Sequence, residues 1–224
     1  MKKIWLLILF LLVFWCTGCG ESTNNLKPYV LVYIASIDTK LEASAIVVDS
    51  SNQQLTDAIV TIGGNTIPVG GSSYNLSGVT LGTSVNVHIS HEKIGTIDQT
   101  ITIPDQITTL AVSQPSDTSN WLNNSDTLTL TWTESGSNQY YIMGNPFDSG
   151  DSPINSNSIS RACSHAPFTI DSITKATLLS TSGGNTTAHV KFSIQQFNTI
   201  SLPGYRTGSK IDAANFNSNI VTIP

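Results

Sequence analysis

The chain has 224 residues, 39% of them hydrophobic and 11% charged, with 10 basic against 15 acidic side chains and a net charge of −5. Its only arginines are Arg161 and Arg206 and its lysines are scattered, so it has no basic stripe to neutralise phosphates, and nucleic acid is excluded as a partner. With so few charges, solubility falls to the hydroxyls and amides of abundant Ser, Thr and Asn.

The amino end sets the compartment. Met1-Lys2-Lys3, an apolar run from Ile4 to Trp15 and then Cys16-Thr17-Gly18-Cys19 have the charged, apolar and small-residue zones of a secretory signal. The apolar run is too short to span a bilayer comfortably. Thr17-Gly18-Cys19 resembles the lipobox of bacterial lipoproteins, with Cys16 standing where that family usually has Leu. The resemblance implies a signal peptide over 1–18, a diacylglyceryl group on the Cys19 thiol and acylation of the new amino group. The membrane, reached through this N-terminal lipid, then becomes a partner, since two or more chains anchor stably. Residues 19–28 read as the lipidated end and a flexible polar tether. Gly20 in place of the Asp that retains enteric lipoproteins at the inner membrane favours the outer membrane. Loss of Lys2 and Lys3 leaves 8 basic and 15 acidic side chains, a mature net charge of −7.

After the tether nearly every periodic stretch has period two. In 127–133 Leu128, Leu130 and Trp132 alternate with four threonines; in 188–195 Ala188, Val190, Phe192 and Ile194 are expected inside; in 84–90 Val85, Val87 and Ile89. Further strands are expected over 30–36, 43–49, 58–62, 97–103, 139–143, 168–173 and 219–223, and no helical stripe is evident. Cys163 is the one cysteine left after Cys16 and Cys19 are assigned, so no internal disulfide is expected. The fold class predicted is all-β: two tandem antiparallel β-sandwich domains over 29–105 and 121–224, joined by a linker and first-strand region at 106–120, behind the N-terminal signal helix and tether.

Val47-Val48-Asp49-Ser50-Ser51-Asn52, Leu55 through Gly64 and Gly70 through Leu76 resemble the transthyretin-like or carboxypeptidase-regulatory-like sandwich of exported bacterial proteins. That pattern implies Ala58, Val60 and Ile62 packed inward and the Tyr74 ring on the core. The second half resembles a fibronectin type III or immunoglobulin-like sandwich, through Pro115, the Leu128 to Trp132 strand, Tyr140-Tyr141 and a last strand at 219–223. Such folds are nearly silent on function.

Chemical signals are sparse. His88 and His91 fall on opposite faces of one strand, whereas zinc wants three or four convergent ligands. Cys163, Ser164 and His165 lack an orienting carboxylate, which leaves a free thiol in a polar loop. Asp148-Ser149-Gly150-Asp151-Ser152 is oxygen-rich and glycine-bent, as calcium loops are, but lacks their ligand alternation and closing Glu, and reads as a solvated turn. No catalytic, metal or cofactor residue is assigned. Recognition is expected on two second-domain loops, 144–167 and 198–216, with Phe147, Arg161, Tyr205 and Arg206 as candidate binding residues. The functional expectation is a non-catalytic, membrane-anchored envelope lipoprotein serving as a binding, adhesive or structural module. The alternative is an accessory subunit that binds a polysaccharide or an envelope protein, which predicts aromatic rings lined along one sheet face or loop tip, with Tyr140, Tyr141, Phe147 and Tyr205 as the rings to inspect. A small hydrolase ranks last.

Overall fold

The computed structural model describes residues 27–224 apart from 38–39, 108, 120, 124–126, 135–136, 138, 155–157, 180–185 and 217–219. The expected signal over 1–18, Cys19 and most of the tether therefore lie outside the described residues. β1 (Tyr29–Ile37), β2 (Lys40–Val48), β3 (Ile59–Ile62), β4 (Asn65–Thr66), β5 (Tyr74–Asn75), β6 (Ser84–His91), β7 (Gly95–Thr102) and β8 (Ala111–Gln114) precede a 3₁₀ turn at Trp121–Asn123. β9 (Leu128–Thr131), β10 (Gln139–Phe147), β11 (Ile159–Cys163), β12 (Phe168–Ile170), helix α1 (Ser172–Leu179), β13 (His189–Ser201), β14 (Lys210–Asn215) and β15 (Val221–Ile223) follow.

The strands form an all-β fold of three sheets, because Val, Ile and Thr at alternate positions suit a surface buried on one side. The largest sheet has the order β11-β10-β13-β14-β1-β2-β5, with β15 also beside β13. β1 and β14 are parallel, while β1 with β2 and β13 with its three partners are antiparallel. Two smaller sheets, β4-β3-β6-β7 and β12-β9-β8, pack on the same side of it. The first closes a core over Val32, Ile34, Val47, Val60, Ile62, Val87 and Ile89. The second closes a core over Trp121, Leu128, Leu130, Tyr140, Ile142, Phe192 and Ile194. Full burial of each such aliphatic side chain contributes about 1.5–3 kcal/mol.

The chain does not divide between these cores at residue 105. Leu202, Ile211 and Ala213 belong to the first, brought there by β14 along β1. β13 is the shared spine. Its residues 189–197 pair with all of β10, while on its other side 190–192 meet β15 and 196–201 meet β14. On its inner face the apolar series Val190, Phe192, Ile194 gives way to buried Gln196 and Asn198. Gln196 Nε2 donates to Asp105 O at 2.6 Å, Asn198 Nδ2 to Thr102 O at 2.7 Å, and buried Asn215 Nδ2 to Pro104 O at 3.4 Å. Three amides thus satisfy the carbonyls of the chain as it crosses from one core to the other.

Several local expectations are corrected. The strand expected over 168–173 ends at Ile170, where the Asp171 carboxylate accepts the Thr174 N–H at 2.7 Å and caps α1, a helix the periodicity had not announced. Ala188 is exposed, since β13 begins one residue later. Tyr74 is 40% exposed on edge strand β5, and Leu76 fills the core instead. The expected loop 144–167 shrinks because β10 runs on to Phe147 and β11 occupies 159–163. Gly144 is strand, not turn: a Cβ there would lie 2.8 Å from the Phe192 ring, so only glycine allows this close approach. The expected loop 198–216 likewise shrinks to residues 202–209 between β13 and β14.

Candidate binding surfaces

The candidate binding residues fall at three levels along β13: Phe147 stands opposite His189 at its start, Arg161 is level with Ile194 near its middle, and Tyr205 and Arg206 follow its end, about 40 Å from the start at the usual rise per residue. Tyr205 and Arg206 occupy the loop where the tether joins the fold. The Arg206 N–H donates to Pro28 O at 2.8 Å, its Nε to Lys27 O at 3.2 Å and its Nη1 to Asn52 Oδ1 at 3.1 Å. The Tyr205 hydroxyl donates to Ile94 O at 3.0 Å while its ring packs on the first core. Both residues are thus occupied in fastening the chain at the root of the tether. Beside them Asp49 accepts the N–H groups of Ser51 and Gln53 at 2.8 and 2.9 Å and pairs with Lys93 at 3.1 Å. The Gln53 N–H foremost, with Lys93 and Ser51, holds its carboxyl below the usual value against the opposing effect of burial.

Phe147 lies at the far end. Its ring stacks on His189, directly opposite in the register, with centroids 5.4 Å apart and planes 6° from parallel. Lys191 Nζ sits 4.2 Å from the Phe147 ring centre. Asp151 Oδ1 receives both Lys191 Nζ at 2.6 Å and His189 Nε2 at 2.9 Å, and these two contacts hold the Asp151 carboxyl low. Asp148 turns inward on its own loop, accepting the N–H groups of Gly150 and Ser152 at 2.9 Å each. The two carboxylates of the calcium-like stretch are thus engaged separately. Arg161 stands opposite Ile142 on edge strand β11 and so projects on the other side of the sheet from Phe147.

His88 and His91 each meet one carboxylate: His88 Nδ1 lies 2.7 Å from Asp98 and His91 Nε2 lies 3.3 Å from Asp57. Cys163, expected in a polar loop, ends β11 against the second core; burial, then the Glu134 carboxylate, push its thiol up to about 11, away from thiolate reactivity. His165 Nδ1 contacts the Ser164 hydroxyl at 2.9 Å. Among the described residues no three His, Cys, Asp or Glu side chains gather to hold a metal ion, and no helix is long and apolar enough to cross a membrane.

A different feature appears on the outer face of the large sheet, opposite both cores. Tyr141 on β10, Phe197 on β13, Phe216 immediately after β14 and Tyr33 on β1 form a row, with successive ring centres 5.1, 5.8 and 6.3 Å apart. All four rings are half-buried. The first two contacts are edge-to-face, at 75° and 82°, the geometry ring quadrupoles favour. Burial, then the Asp212 carboxylate, push the Tyr33 phenol above its ordinary value and keep it neutral. Of the rings the sequence singled out, Tyr141 joins this row, Phe147 shares its face farther along β10, Tyr205 lies at the tether, and Tyr140 is buried against Trp132. Phe197 escaped notice because the strand was read only to Gln195, and Phe216 because it follows β14, which was read as loop.

The chain matches no protein-family model and no curated protein.

Proposed function

We propose that this chain is an exported, lipid-tethered module of the bacterial cell envelope that works by binding. In this reading the signal ends at Gly18, Cys19 carries the acyl chains, and residues 20–26 link them to the fold. The observation that carries it is the Arg206 clamp. Three donors of one residue grip Lys27 O, Pro28 O and the Asn52 turn, where a pull from the membrane would enter the first core. A root fastened at one end of β13 leaves the far end and the wide outer face available to partners. The transthyretin-like and fibronectin-type resemblances describe the two cores, with β14 added to the first. Gly20 directs the anchor to the outer membrane.

The test is metabolic labelling with a palmitate analogue. Wild type should be labelled and Cys19→Ala should not; equal labelling of both would overturn the anchor. A second reading, as an accessory subunit that binds a polysaccharide, is favoured by the aromatic row, because rings lined on one sheet face suit a polymer.

A further inference from the structure

We propose that the outer face of the eight-stranded sheet binds an extended, uncharged polysaccharide along the row Tyr141, Phe197, Phe216 and Tyr33. This rests on the reading of the chain as an exported binding module and names its ligand class. The argument begins with register. Tyr141 stands directly opposite Gln195 and Phe197 directly opposite Gln139, so on adjacent strands β10 and β13 each ring has an amide beside it on the same face. A sugar ring offers the same two chemistries side by side. Its axial C–H bonds are weakly positive and lie well on the negative face of an aromatic ring, while its equatorial hydroxyls accept from and donate to amides.

Charge narrows the class. The charged side chains around the row already have partners: Asp212 receives Lys210 Nζ at 2.6 Å and the Thr199 hydroxyl at 2.7 Å, Asp151 pairs with Lys191, and Glu42 accepts the Ser73 hydroxyl at 2.5 Å. A charged polymer would have to break these pairs, whereas a neutral one lies between them. The rings are also held in advance, since each leans on the next and all sit on or directly beside strands of one sheet, so binding orders few side chains. The row crosses four neighbouring strands, which fits an elongated ligand better than a compact one.

The experiment uses the mature chain from residue 19, purified in detergent, in native gels containing soluble neutral glucans or mannans, with polygalacturonate and a sulfated glycan as charged controls. At least one neutral polymer should retard the protein and the charged ones should not. Tyr141→Leu, which keeps apolar bulk but removes the ring, and Gln195→Ala should each weaken retardation about tenfold or more, the scale of losing a central contact, with the melting temperature close to wild type. Retardation by no neutral polymer, unchanged retardation of both variants, or preference for the charged polymers would overturn the proposal. So would sedimentation showing that Tyr141 instead holds two copies together, or flotation with neutral vesicles that Tyr141→Leu abolishes. Labelling at Cys19 reads the anchor separately: a labelled chain that ignores glycans fails only this inference, and an unlabelled chain that binds them fails only the anchor.

Discussion

The buried members of the first core are all aliphatic, whereas the second is built around Trp121, Trp132, Tyr140 and Phe192. The difference follows from the sheets that close them. β6 and β7 have eight residues each and lay long, evenly spaced rows of Val and Ile over β1 and β2. Opposite β10 and β13 stand only β8 and β9, with four residues each, and β12, with three. Strands that short cannot cover the spine, so bulk comes from elsewhere. Trp121, in a 3₁₀ turn, meets Phe192 edge-on at 6.2 Å, and α1 adds Leu178 and a Lys175 whose ammonium lies 4.6 Å over the indole and donates to Trp121 O. A regular sandwich can be made of interchangeable aliphatics; an irregular one depends on a few large side chains.

The strongest way to break that contrast is Trp121→Ala. Loss of a fully buried indole should cost about 3–5 kcal/mol, near the top of the range for core truncations. A single aliphatic truncation in the first core, such as Val60→Ala, should cost less because neighbouring rows can close in. Denaturant titration followed by circular dichroism measures both. Because β13 runs through both cores, the Trp121 variant should still unfold in one transition. A second transition preserving the first core would show the halves to be independent despite their common strand.

That coupling was the least legible part of the sequence. Strands with clean alternation, such as 84–90 and 127–133, were readable because period two reports a face directly. β13 was readable only as far as Gln195, because Gln196 and Asn198 occupy inward positions and make the apolar series look finished at Ile194. The amides are there because carbonyls of the crossing segment need donors, a tertiary demand that no local pattern carries. Gly144-Asn145-Pro146 misled in the same way, its glycine required by the Phe192 ring. α1 escaped because eight residues hold barely two turns of pattern. The candidate binding residues were chosen as rare types on apparent loops; in the fold Arg206 and Tyr205 fasten the loop 202–209 to the first core, and the strands that replace the rest of those loops bring the ring row into view. The seam gives the next prediction. Gln196→Leu removes the donor to Asp105 O and should cost about 1–3 kcal/mol, the scale of an unmet buried carbonyl. It should also spread the single transition toward two, and a transition that stays as sharp as in wild type would place the coupling in the strand pairing alone.

The smallest effect separates the two ends electrostatically. Asp49 and Asp151 are both held below the ordinary carboxyl value of 3.8, the first chiefly by the Gln53 N–H and the second by Lys191. An unfolded chain releases these contacts, so each carboxylate contributes stability that is complete above the ordinary value and fades as pH falls through it toward the lower folded value. The surroundings differ. The Asp49 side chain is 5% exposed and that of Asp151 is 64% exposed, so salt should screen the second and spare the first. Melting curves from neutral to strongly acid pH, at low and at molar salt, should show Asp49→Asn flattening the acid-side loss at both salt levels. Asp151→Asn should flatten it only at low salt. Equal salt dependence for the two variants would mean that the tether-side turn is as open to water as the far one, and the clamp around Lys27 and Pro28 would then lack the buried support that Asp49 and Lys93 give it.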